Sequence, residues 1–220
     1  FHHETGYNRF DQLRGELERA EQDLRQAAKA LTARRLETAG EFVRRVEAEL
    51  AYLDMGGVRF SISRKEKAFG PNGADEMEFL ICTNAGEEAR PLAKIASGGE
   101  LARIMLAIKN VLAEKDDIGT IIFDEVDTGV SGRAAQKIGQ KLAEVARHRQ
   151  VICVTHLAPV AACAAHHYRI YKTVEEGRTF TRVEELGHED RVRELARIMV
   201  GDHITESALQ SAGEMLAARA

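Results

Sequence analysis

The chain has 220 residues, 44% hydrophobic and 30% charged, with 31 Lys+Arg against 35 Asp+Glu for a net charge of −4. This is a foldable composition, long enough for one sizeable domain with an appendage, and it excludes a uniformly basic nucleic-acid binder while leaving room for a local basic face. Three widely spaced cysteines (Cys82, Cys153 and Cys163) make no disulfide framework, and no apolar run reaches the length of a bilayer span. Reduced thiols, a cytoplasmic location and no membrane partner are the expectation.

The first element is a long helix. Residues 8 to 55 contain no Pro, and Gly15 and Gly40 are their only glycines. Phe10, Leu13, Leu17, Ala20, Leu24, Ala27 and Leu31 step alternately by three and four, which draws an apolar seam through charged surroundings. The phase breaks at Arg34-Arg35, and a second seam runs through Leu36, Ala39, Val43, Val46, Leu50 and Leu53. An amphipathic helix lying on a core gives this pattern. So does one arm of a coiled coil whose last turns enter a globular head, and such an arm needs a second helix to cover its seam. Residues 1–55 are read as the arm and residues 56–220 as a lobe. The His2-His3 pair is given no role.

Gly56-Gly57 ends the helix. Val58–Ser63 alternates apolar and polar residues and predicts a strand. The turn residues of "AFGPNGADE" and the strand Met77–Thr83 then predict a hairpin with a long loop. An α/β pattern follows: a helix over 99–115, a strand over 120–124, a helix over 132–147 and a strand over 151–155. The strands "TIIF" and "VICVT" are nearly continuous apolar runs, as suits parallel strands covered on both faces. Segments 167–174 and 179–186 alternate and predict a closing hairpin. Helices near 189–200 and 205–219 finish the chain.

The chemistry gathers at the ends of the apolar strands. Asp124 and Glu125 follow "TIIF" at a carboxyl edge, where ligands bind in open α/β sheets. Phosphoryl transfer needs one acid to hold Mg²⁺ and a second group to orient or deprotonate the attacking water. Asp124 suits the first role and Glu125 the second, although an exposed acid pair after a strand also reads as a plain helix cap. His156 ends the next strand on the same edge, from which it could donate to a phosphate oxygen or sit as a satisfied, partly buried histidine. Upstream, Ser97, Gly98 and Gly99 precede a helix beginning near Glu100. Backbone N–H groups at a helix start attract anions, and Gly permits close approach. By itself this turn reads equally as a Ser N-cap.

The ordered set "ASGGE", "TIIFDE", "VD" and "VICVTH" resembles the C-terminal lobe of an ABC-type ATPase head, with a signature motif, a Walker B strand, a D-loop and a switch histidine. The stretches "RPLAKIASGGELARIMLAIKNVL", "IIFDEVDTGVSGRAAQKIG" and "VICVTHLAPVAACAAHHYRIYK" narrow the resemblance to the bacterial SMC-like ATPases of DNA repair and recombination, and the arm before them fits that family. It implies an α/β lobe whose mostly parallel sheet has helices on its faces. It also implies ATP and Mg²⁺, with Asp124 on the metal, Glu125 as general base and His156 as the switch residue. Ser97, Gly98, Gly99 and Glu100 would meet a nucleotide held on the opposite head of a homodimer, and Asp127 would sit at that interface. The further partners implied are an N-terminal lobe of the same protein and DNA, at double-strand ends. No GxxxxGK[ST] loop occurs in these 220 residues, so this piece is expected to be inactive without that lobe. Two alternatives stay open: a non-catalytic dimerisation or interaction module, and the head of another SMC-like ATPase.

The remaining candidates read as ordinary. Cys163, His166 and His167 lack the second pair of ligands a zinc site needs. Arg147–Gln150 is expected to be a solvated helix end. Arg103 could face phosphate, DNA or solvent.

Overall fold

The computed structural model describes residues 2–84, 86–95, 97–113, 115 and 117–218, with side chains from Arg9 onward. Phe1, Ala85, Ala96, Glu114, Asp116, Arg219 and Ala220 lie outside the described residues, including the first residue of the "ASGGE" turn.

Helix α1 (His2–Tyr52) runs unbroken through the phase change at Arg34-Arg35. At 1.5 Å rise per residue it is about 77 Å long. Its two halves meet different surroundings. Phe10, Leu13, Leu17 and Leu24 are exposed, whereas Val46, Leu50 and Leu53 are fully buried. Leu36, expected to open the second seam, is exposed. The face that docks instead passes through Ala28, Thr32, Arg35 and Phe42, because the hairpin lies against that side.

That hairpin is longer and tighter than the sequence suggests. β1 (Arg59–Gly70) pairs antiparallel with β2 (Gly73–Cys82), and only Pro71 and Asn72 form the tip. Opposite charges face each other across the strands, as at Lys65 and Glu76, so the polar run reads as a loop but pairs as a strand. Phe42 of α1 packs against Phe60 and Phe79 at centroid distances of 6.0 and 5.7 Å. Beside them Asp75 is buried, accepting hydrogen bonds from Thr32 of α1 and from Arg64 Nε at 2.6 Å, with Arg35 at 3.7 Å. The Thr32 hydroxyl, and then Arg64, hold this carboxyl below the usual carboxylate range. The short strand β3 (Arg90–Pro91) adds to β2.

The core of the lobe is built on α2 (Gly98–Val111), the parallel pair β4 (Thr120–Phe123) and β5 (Gln150–Cys153), and α3 (Gly132–Val145) between those strands. α2 stops at Val111 rather than 115. Ile104, Leu106, Phe123, Val126, Ile138 and Val145 pack with Val46 and Leu50 of α1 in one cluster. The strands were expected to be covered on both faces. One face enters this cluster, but Ile122, Ile152 and Val154 on the other are 67%, 45% and 49% exposed. The arm root is pinned to α3 by Lys141, which reaches Glu49 and Glu144 at 2.7 Å each, and by the Tyr52 hydroxyl, which donates to Gln140 at 2.7 Å.

The short α4 (Ala158–Ala162) was not foreseen in the sequence. It packs with α5 (His188–Val200) and α6 (Glu206–Ala217) in a second, Ala-rich cluster. Between them β6 (Tyr168–Glu175) and β7 (Arg178–Glu185) form a hairpin. Its turn is Glu176-Gly177, both with positive φ, as a two-residue hairpin turn requires. Arg149, expected in solvent, is 8% exposed and donates to the Ala113 carbonyl. Arg147 and His148 stay exposed.

Candidate functional site

The carboxyl ends of β4 and β5 and the start of α2 meet around one loop, residues 124–131. Val154 N–H donates to the Phe123 carbonyl at 2.9 Å, so the parallel pairing persists to the last residue of β4. There the chain turns sharply. Glu125 takes a φ of 58°, a left-handed conformation uncommon outside Gly and a mark of functional loops. Thr128 N–H closes the turn onto the Glu125 carbonyl at 3.0 Å. Asp124 and Glu125 are exposed, and Asp124 Oδ1 accepts the Glu125 N–H at 2.9 Å.

Ser97 is the N-cap of α2 and accepts the Glu100 N–H at 3.4 Å. The helix itself starts at Gly98, two residues before Glu100. Ser97 and Gly98 are exposed, Gly99 is buried and Glu100 half-buried. What the glycines approach is the molecule's own loop. A Cβ on Gly98 would come within 2.5 Å of Glu125 Oε2. One on Gly99 would meet Thr128 Cβ and carbonyl at 3.0 Å each and the Glu125 carbonyl at 3.2 Å. The turn and the acid loop of one chain are thus in direct contact, and at Gly99 a side chain would have to push aside the Glu125 and Thr128 backbone.

Asp127 is 2% exposed. Its Oδ2 accepts from the Thr155 hydroxyl and, at 3.3 Å, from the His156 N–H, with His156 Nδ1 at 3.6 Å. Within the described residues its partners are all in its own lobe. The His156 side chain is 74% exposed, so the backbone is fixed while the imidazole faces outward. Burial, with help from Asp127 and Asp124, pushes the Cys153 thiol up to about 12, which makes it an inert core group.

One contributor, Arg103, was expected to face phosphate, DNA or solvent, and another, Thr155, was missed in the sequence. Arg103, 9% exposed, turns inward and donates to the Thr128 carbonyl at 2.8 Å and the Val126 carbonyl at 3.4 Å. Its spacing was a usable signal, because it stands one helical turn after Gly99 and therefore on the same face. Thr155 passed as an ordinary strand residue, though a hydroxyl closing an apolar run has to find a partner. Cys163, His166 and His167 diverge: Cys163 packs on Gly139, His166 meets Glu185 at 2.8 Å, and His167 turns toward Arg191 and Glu194.

No protein-family model matches the chain. It is 43% identical over 220 residues to the DNA repair protein RecN of Treponema pallidum, covering 94% of this chain and 38% of that protein. It is 41% identical over 214 residues to the DNA repair protein RecN of Halalkalibacterium halodurans, covering 95% and 38%. Over the span it covers, the chain belongs to the RecN family. It spans little more than a third of the length of these RecN proteins, and the match takes in α1 as well as the elements after it. Among solved structures, the Smc head domain with a coiled coil and joint from Pyrococcus yayanosii superposes with a TM-score of 0.61 at 19% identity, over 86% of this chain and 35% of that one. The chain thus has the fold of part of that Smc head domain, entered by a long helix.

Proposed function

We propose that the chain is the signature-bearing half of an SMC-like ATPase head acting in DNA double-strand break repair and recombination, with residues 1–55 as its arm and 56–220 as the lobe. The single observation that carries the reading is the contact of the Ser97–Glu100 turn with the loop that presents Asp124 and Glu125, a loop whose Asp127 also holds the His156 backbone. ATP hydrolysis would use them as follows. Asp124 would hold Mg²⁺ through the oxygen that is not engaged by Glu125 N–H. A cation held by one carboxylate, waters and phosphate suits the exposed Asp124 carboxylate. Mg²⁺ would supply neutralisation of the phosphate charge. Glu125 would take the proton of the attacking water, and His156 would donate to the terminal phosphate. Ser97, Gly98, Gly99 and Glu100 would face a nucleotide on a second head, with Asp127 fixing the loop between.

The open sheet face of Ile122, Ile152 and Val154 supports a companion lobe, since an aliphatic face this exposed calls for cover. No helix of the described residues is long and apolar enough to cross a membrane. The exposed outer seam of α1, at Phe10, Leu13 and Leu17, would serve a second reading, a non-catalytic interaction module. ATP turnover by the full-length protein separates the two. Glu125→Gln in that protein should cut turnover by about 100-fold or more with ATP binding retained. Turnover at the unmodified rate in the variant would remove Glu125 from the base role, and none in the unmodified protein would favour the module.

A further inference from the structure

Arg103 is a buried cation that makes no ion pair within 4 Å among the described residues; burial lowers its pKa from the ordinary arginine value, and the Glu100 carboxylate works against that shift. Such a group is costly to keep inside a fold unless its donors are used. Its Nη1 is used on two backbone carbonyls of the acid loop, those of Val126 and Thr128. The loop is gripped from the same side by Gly99, whose missing side chain lets α2 touch Thr128 and the Glu125 carbonyl. From the other side Asp127 fastens it to Thr155 and the His156 N–H. The carbonyls that Arg103 holds therefore follow Glu125 by one and three residues, in a turn whose φ of 58° at Glu125 needs external support.

We propose that Arg103 is a positioning residue for the reaction proposed above. Through the Val126 and Thr128 carbonyls it sets the left-handed turn that aims Glu125, and it makes the Ser97–Gly99 turn and Glu125 move as one body. The inference rests on the ATPase reading and on Glu125 as base. It requires no contact between Arg103 and nucleotide.

The test uses the full-length protein, with ATP turnover and ATP binding measured for Arg103→Met, Arg103→Lys, Gly99→Ala and Glu125→Gln in parallel. Displacing a catalytic group by about an ångström costs on the order of 100-fold, so Arg103→Met should lose kcat on that scale while KM for ATP stays unchanged. Arg103→Lys keeps one charged donor for the same carbonyls and should recover most of the loss, which a space-filling role for Arg103 would not do. Gly99→Ala pushes the loop off α2, so its effect and that of Arg103→Lys should be non-additive in the double variant. That cycle decides the matter if Arg103→Met does not fold. Unchanged kcat in folded Arg103→Met, a rise in KM that accounts for the loss, or fully independent effects of Gly99→Ala and Arg103→Lys would each overturn the proposal. If Glu125→Gln retains full turnover, the base reading itself fails, and that outcome is distinct from normal turnover in the Arg103 variants alone.

Discussion

The two halves of α1 carry similar apolar spacing and meet opposite fates. In the outer half Leu17 is 60% exposed, and in the inner half Leu50 is fully buried. The helix is continuous through both, so the difference lies in the neighbours: the β1–β2 hairpin and the lobe core cover the inner turns and nothing described covers the outer ones. Periodicity fixes which residues share a face. It does not fix what lies against that face, because the same stripe suits a core, a partner helix or a second chain.

Leu50→Ala should break the comparison most severely. Removing a fully buried Leu side chain costs about 2–5 kcal/mol, and Leu17→Ala should stay within about 0.5 kcal/mol in urea unfolding of this chain. Similar costs for the two would mean that the outer seam is covered in solution. Asp75 sharpens the boundary between the halves, since it ties Thr32 and Arg35 of α1 to the hairpin. Its folded-state pKa is lowered, so its contribution is present above the ordinary aspartate value of about 3.9 and drains away as pH falls through the depressed value. Asp75→Asn should be less stable than the unmodified chain at neutral pH and show a flatter acid limb below about pH 4. Parallel acid limbs in thermal melts would show that the Thr32, Arg64 and Arg35 contacts do not operate in solution.

The same distinction governs what was legible in the sequence. The strands "TIIF" and "VICVT", the helix between them and the polar residues closing each strand were readable because apolar runs and breakers act locally. The polar half of the β1–β2 hairpin was not, because its strand character comes from cross-strand charge pairs and from α1 lying on it. The open face of β4 and β5 was not readable either. A run such as "TIIF" looks alike whether one face or both are covered. At the site, Asp124, Glu125, His156 and the Ser97–Gly99 turn are marked by residue type and position. The burial of Asp127 is set by which elements close on the loop, and no local pattern encodes that; for Arg103 the helical spacing from Gly99 marks the shared face but not what lies against it. The glycine turn illustrates both sides: its special residues were evident, and its first neighbour proved to be the acid loop of its own chain.

That contact bears on the central claim, that the turn serves a nucleotide on one head while Glu125 serves the nucleotide on its own. Two variants of the full-length protein address it directly. Ser97→Arg blocks the turn and Glu125→Gln removes the base, so each alone should abolish ATP turnover. Mixed, they can form heterodimers in which an intact turn from one head faces an intact Glu125 on the other. If the turn and the base serve different heads, the mixture recovers a substantial part of the lost turnover. Both variants folded and dimeric, with no recovery on mixing, would mean that the turn and Glu125 of a single chain act on the same nucleotide, and would contradict the split site.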